Sequence, residues 1–174
     1  NNSLAAIAIC DIMQTPMSTI IAAINCFVGV SRRFECKGFS PIGARIIVDY
    51  AHHPEEVKQS IACAKSISQK RLFVVFEPHT FSRTKALFYD FVMAFDEADC
   101  VELLPTYSAR ETQSQGMSSK QLYDALQEKY LLVNYHNNYQ SLAHYLQFVC
   151  EDGDTVLILG AGDVYKVADL LLKN

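Results

Sequence analysis

The apolar positions of this chain change their period part-way along. "NNSLAAIAICDIMQ" is alanine-rich and apolar on one side, and "TPMSTIIAAINCF" repeats that character with Thr15 placed to cap and Pro16 at the first helical position. Two helices are expected there. Past a boundary near Gly29 to Arg32 the segments become short and extended. "RRFECKGF" and "RIIVDY" flank the punctuated "SPIGA", the pattern of a β-hairpin. "PEEVKQSIACAKSIS" then sets Val57, Ile61 and Ala64 at helical spacing, "RLFVVFE" is a continuous apolar strand, and "SRTKALFYDFVMAFDEA" reads as one amphipathic helix. "CVELLP" is the next strand, and "SSKQLYDALQEKY" opens on a capping box of Ser118 and Gln121. "LLVNY", "SLAHYLQFVC", "DTVLILG" and "DVYKVADLLLKN" continue strand, helix, strand, helix.

Fully apolar strands alternating with helices predict an α/β fold, a mostly parallel sheet with helices on both faces. The N-terminal β-hairpin belongs to it. The two helices before the hairpin have no strand ahead of them and cannot bury their faces alone, so they are expected to be the end of a preceding domain. The change of pattern puts the division near Gly29 to Arg32.

Composition narrows the class. At 174 residues and 50% hydrophobic content the chain can form one full domain with a core. A net charge of -4 argues against a sequence-independent grip on nucleic acid, so any phosphate site must be local. The six cysteines are scattered without a C-x-x-C pair, which suggests neither a zinc knuckle nor a disulfide framework and fits a reducing cytoplasm. No apolar run reaches the length of a membrane span, and the N-terminus lacks a signal-peptide pattern. A cytoplasmic protein without a membrane or nucleic-acid partner is expected.

Ligands of parallel sheets bind at the carboxyl ends of the strands. Four such ends carry polar clusters: Asp49, Tyr50, His52 and His53 after one, Glu77, His79 and Arg83 after the next, Tyr107, Arg110 and Glu111 after a third, and Gly160, Gly162 and Asp163 after the last. One shared cleft is the economical reading. A histidine-held metal is not expected, because adjacent histidines diverge and no H-x-x-x-H pair or carboxylate triad accompanies them. Taken singly, His52 or His53 reads as a packed or solvated turn residue before Pro54, and Asp49 as an acceptor for nearby amides. "LGAGDVYKV" is close to G-x-G-x-x-G, yet Tyr165 replaces the third glycine and nine residues follow it, so a complete dinucleotide site is not expected. No G-K-[ST] occurs, so the chain holds no P-loop.

"NSLAAIA", "FVGVSRRFE", "VDYAHHPEEV", "EPHTFSRTKAL", "YSARE" and "LGAGDVY" stand in an order and at spacings that resemble the C-terminal part of the Mur ligases of peptidoglycan synthesis. The resemblance covers the whole chain. It implies a Rossmann-like C-terminal domain preceded by the helical tail of a central domain that carries the P-loop, with a further N-terminal domain for the UDP-sugar. The activity implied is that of an ATP-dependent ligase joining L-alanine to UDP-N-acetylmuramate through an acyl phosphate, silent in this portion alone. Two alternatives stay open: attachment of a pre-made tripeptide to the same sugar during wall recycling, and a non-catalytic Rossmann-like binding module.

Residue by residue, the resemblance implies Asn2 near adenine, Arg33 at the ATP phosphates, Asp49 at the ribose hydroxyls and Tyr50 beside the nucleotide. His52 and His53 fall in the cleft, with His52 the one facing the reacting groups, and His79 and Arg83 receive the incoming amino acid. Arg33 and His52 are thus the catalytic candidates. Tyr107 and Glu111 lie in a matching stretch with weaker support. Magnesium accompanying ATP is expected mainly on the central domain. Val48 stands where the family usually has a first acid; neighbouring strand residues face opposite ways, so its loss touches packing more than chemistry.

Overall fold

The computed structural model describes residues 2–112 and 116–173, Asn2 by its backbone alone. The chain separates into two compact units, 1–30 and 31–174. The first is a helix pair, α1 (Asn2–Ile12) and α2 (Met17–Asn25). Thr15 does not cap α2. Pro16 occupies the N-cap in extended backbone (φ -56°, ψ 133°) without a side-chain cap, and its carbonyl receives the amides of Thr19 and Ile20 at 2.9 and 3.2 Å.

The second unit is a six-stranded sheet in the order β1-β2-β6-β3-β4-β5. β1 (Glu35–Phe39) runs antiparallel to β2 (Arg45–Asp49). The others, β3 (Leu72–Phe76), β4 (Cys100–Leu103), β5 (Val133–Tyr135) and β6 (Thr155–Leu159), are parallel. The helices are α3 (Pro54–Ile67), α4 (Phe81–Ala86), α5 (Phe88–Val92), α6 (Ser119–Lys129), α7 (Tyr139–Val149) and α8 (Lys166–Leu171).

Strand side chains alternate between faces, so one apolar run feeds two cores. Ile47, Val74, Phe76 and Leu157 pack with Val57, Ile61, Phe91, Leu122 and Leu126 of α3, α5 and α6. Ile46, Val48, Phe73, Val75 and Ile158 pack with Leu142, Leu146, Val167 and Leu171 of α7 and α8. Full burial of each such side chain contributes about 1.5–3 kcal/mol. The single helix expected after β3 is two, divided at Leu87 (φ -115°, ψ 25°). Leu87, Phe88, Phe91 and Val92, on one face across the break, all pack on the first core. The expected box at α6 is present, with the Ser118 amide donating to Gln121 Oε1 at 2.9 Å.

β6 lies between β2 and β3, and the register sets Asp49, Leu159 and Phe76 level across the three strands. The helix after β2 covers one face and the helix after β6 covers the other. Their connections therefore diverge at the carboxyl ends and leave a crevice, the place where open parallel sheets take ligands.

Candidate active site

The corner between β2 and α3 is built by its own polar groups. Pro54 occupies the first helical position and His53 the N-cap, and Glu56 Oε2 accepts the amides of His52 and His53 at 3.1 and 3.3 Å. Asp49, buried, accepts Ser60 Oγ at 2.6 Å and the Ala51 amide at 3.3 Å, which ties the strand end to α3. His52 Nδ1 lies 2.9 Å from the Tyr50 carbonyl oxygen. A carbonyl only accepts, so Nδ1 carries the hydrogen and neutral His52 presents the lone pair of Nε2.

His79 holds the opposite tautomer. Arg83 Nη1 donates to its Nδ1 at 3.2 Å and to its carbonyl at 3.0 Å. Nδ1 is thus an acceptor and Nε2 carries the hydrogen. The two rings stand 5.9 Å apart, and His79 stacks on Tyr107 at 5.5 Å, supported by a parallel bridge between their backbones. Burial, then the charge of Arg83, then His52 hold His79 below its ordinary value of 6.5. Folding therefore favours the neutral ring, and this contribution, present above 6.5, is lost as pH falls through the lower folded value. In a histidine NMR titration, Arg83→Ala is expected to shift the His79 midpoint upward; an unmoved midpoint would deny the coupling.

On the β6 side, Arg32 Nη2 donates to the carbonyls of Gly160 and Gly162 at 3.0 and 2.8 Å. Its guanidinium lies 4.9 Å from the Tyr50 ring centre and 4.7 Å from that of Tyr165. Arg33 is exposed, 5.3 Å from the same Tyr50 ring, and makes no hydrogen bond among the described residues. Glu77 is buried beneath the glycine turn, accepting the Tyr139 hydroxyl. Burial raises its carboxyl above the ordinary range, opposed by Tyr139 and the amides of Val164 and Asp163. Position 162 requires glycine, since a Cβ there would come within 2.2 Å of Glu77 Oε2 and 2.6 Å of the Tyr107 ring.

The structure thus brings Arg33, Tyr50, His52, His79, Arg83 and Tyr107 into one line of contacts. It leaves others apart from that line. Asp49 is engaged within the corner, His53 is an exposed cap, and Glu111 anchors α4 by accepting the Ser82 amide at 2.9 Å. The side chain of Asn2 lies outside the described residues. Arg32, Tyr165 and Tyr139 also form the site; Arg32 stands inside "FVGVSRRFE", Tyr165 is the residue in place of the third glycine, and Tyr139 is 62 residues from its partner Glu77. Among the described residues no group of three histidine, cysteine or carboxylate side chains could hold a metal ion.

The model of the Mur ligase glutamate ligase domain matches residues 32–162, which include every residue in this line of contacts. The chain belongs to the Mur ligase family. Among relatives of this Mur ligase, the UDP-N-acetylmuramate–L-alanine ligase of Lachnospira eligens is 42% identical over 172 residues, covering 99% of this chain and 37% of that protein. The enzyme of the same name from Clostridium perfringens is 38% identical over 173 residues, with 99% and 38% covered. The solved UDP-N-acetylmuramate-alanine ligase of Thermotoga maritima superposes with a TM-score of 0.77 at 25% identity, over 97% of this chain and 35% of that one. This Mur ligase chain spans somewhat over a third of the length of the relatives it matches. No helix among its described residues is long and apolar enough to cross a membrane.

Proposed function

We propose that this chain is the portion of an ATP-dependent ligase that binds nucleotide and amino acid, in an enzyme joining L-alanine to UDP-N-acetylmuramate in the cytoplasm. The observation that carries the reading is the pair of opposite tautomers. His52 offers a lone pair and His79 an N–H beside a guanidinium, 5.9 Å ring to ring. An amino acid presents matching ends, an amine that gives a proton and a carboxylate that takes hydrogen bonds. Arg83 and the His79 N–H hold the carboxylate, and the amine turns toward His52.

The muramate carboxylate attacks the terminal phosphorus of ATP, ADP leaves, and an acyl phosphate forms. The alanine amine then attacks the acyl carbon, its proton passing to His52 Nε2 and phosphate departing with the C–O electrons. Arg33 supplies a fixed positive charge where negative charge gathers on the transferring phosphoryl group. Asp49 keeps a second acceptor position on each oxygen for ribose hydroxyls, and Tyr50 stands beside the nucleotide. In this reading residues 1–31 close a central domain, Asn2 lies near adenine, and 32–174 form the C-terminal domain. The Mg2+ that accompanies ATP is, in this reading, held mainly by the central domain.

The test is ADP release by the full-length protein with UDP-N-acetylmuramate, offering L-alanine and a stem tripeptide in competition. Consumption of L-alanine is expected, and no turnover from this chain alone. Preferential tripeptide use would move the assignment to wall recycling, and turnover by the chain alone would contradict the division of labour.

A further inference from the structure

We infer that Arg32 is a positioning residue whose guanidinium clamps the glycine turn after β6 to Tyr50 and thereby fixes the stand of Tyr50 and Arg33 over the cleft. The inference rests on the nucleotide-binding reading above. It begins from the backbone. Arg32 and Phe34 both hold left-handed conformations, φ 58° and 48°, on either side of Arg33. Glycine adopts this region freely, whereas another residue there costs roughly 1 kcal/mol or more. At Arg32 this backbone coincides with a side chain that bonds distant segments.

What the side chain does is bridge three segments. One nitrogen serves two carbonyls 128 and 130 residues away, Gly160 and Gly162, while the planar group lies between the rings of Tyr50 and Tyr165. The Arg32 backbone closes the arrangement, its amide donating to Glu35 Oε2 at 2.8 Å and its carbonyl accepting the Tyr50 amide at 2.7 Å. Arg32 forms no ion pair among the described residues, and its buried Nε has no partner there. Its guanidinium is held by carbonyl dipoles and ring faces. Tyr50 is flanked by both guanidinium groups, Arg32 at 4.9 Å and Arg33 at 5.3 Å, so an arginine that touches no substrate sets the direction of one that does. Lysine does not reproduce it, because a compact ammonium cannot lay a flat face against two rings while bonding the two carbonyls.

The experiment uses the full-length protein with Arg32→Gly and Arg32→Lys, read by amide hydrogen exchange, thermal melting and steady-state kinetics. Arg32→Gly relieves the left-handed backbone, so a merely structural turn residue predicts equal or higher melting temperature and unchanged behaviour elsewhere. The clamp predicts that exchange over 160–163, including the Gly160 amide that donates to Asp49 O at 3.2 Å, accelerates about tenfold or more. It also predicts a KM for ATP raised about tenfold, with KM for the amino acid near wild type. Wild-type exchange in that turn together with wild-type KM for ATP would overturn the inference. If Arg32→Gly fails to fold, Arg32→Lys decides: faster exchange supports the clamp, wild-type exchange overturns it. A wild-type protein without ligase turnover would remove the proposed function, while the exchange readout still decides the clamp.

Discussion

Asp154→Ala is expected to lower the stability of the sheet unit by roughly 3 kcal/mol, a melting temperature about 6–12 °C below wild type. Asp154 lies at the end of the sheet opposite the crevice, fully buried, and its carboxylate gathers the Arg71 guanidinium at 2.7 Å and the amides of Arg71 and Glu151 at 3.1 and 2.8 Å. Arg71 can turn to water when its partner is lost, because its side chain is 41% exposed; the two amides cannot be satisfied so easily. Their orphaning, not the ion pair, supplies most of the loss. Burial pushes this carboxyl up, but the bonds from Arg71 and the amides outweigh it and hold the group below its ordinary value of 3.8. Its folded value is the lower one, so the contribution is present above 3.8 and is lost as pH falls through the folded value. The gap between wild type and Asp154→Ala should therefore narrow in strong acid by the charge-dependent part, and a constant gap across pH would show that charge plays no part.

Arg33→Ala in the full-length protein is expected to lower kcat about 100- to 1,000-fold, the usual loss when one donor aimed at developing charge is removed. Stability should barely change, since Arg33 is exposed and bonded to nothing described. That separation matters. Asp154 contributes to folding and touches no chemistry, whereas Arg33 contributes to chemistry and little to folding. Thermal melting and initial rates on the two variants check both halves, and a kcat near wild type for Arg33→Ala would remove it from the phosphate site.

The centre of the sheet was legible because "LFVVF" and "VLIL" of β3 and β6 are apolar without interruption, a pattern that burial on both faces explains. The hairpin, the Ser118 box and the carboxyl-end clusters followed from turn and cap chemistry. The break at Leu87 was not legible, since the residues on either side suit one continuous helix. Thr15 looked like a cap, but cap position depends on where the backbone leaves extended geometry, and Pro16 takes that place. The pair Arg32 and Arg33 shows a sharper limit. Alternation would assign adjacent residues to opposite faces, but left-handed backbone at Arg32 and Phe34 breaks that rule, so the inward arginine could not be chosen from spacing. The tautomers of His52 and His79 depend on Tyr50 O and Arg83, contacts that exist only once the strand ends are aligned.

The central claim is that the incoming amino acid is held by its carboxylate at the tips of the parallel strands. The most direct measurement is the KM for L-alanine of full-length Arg83→Ala at saturating ATP and UDP-N-acetylmuramate. The account predicts a rise of about 10- to 100-fold, the range for loss of a charge-assisted hydrogen bond, with the KM for ATP within about twofold of wild type. A KM for L-alanine equal to wild type would contradict it.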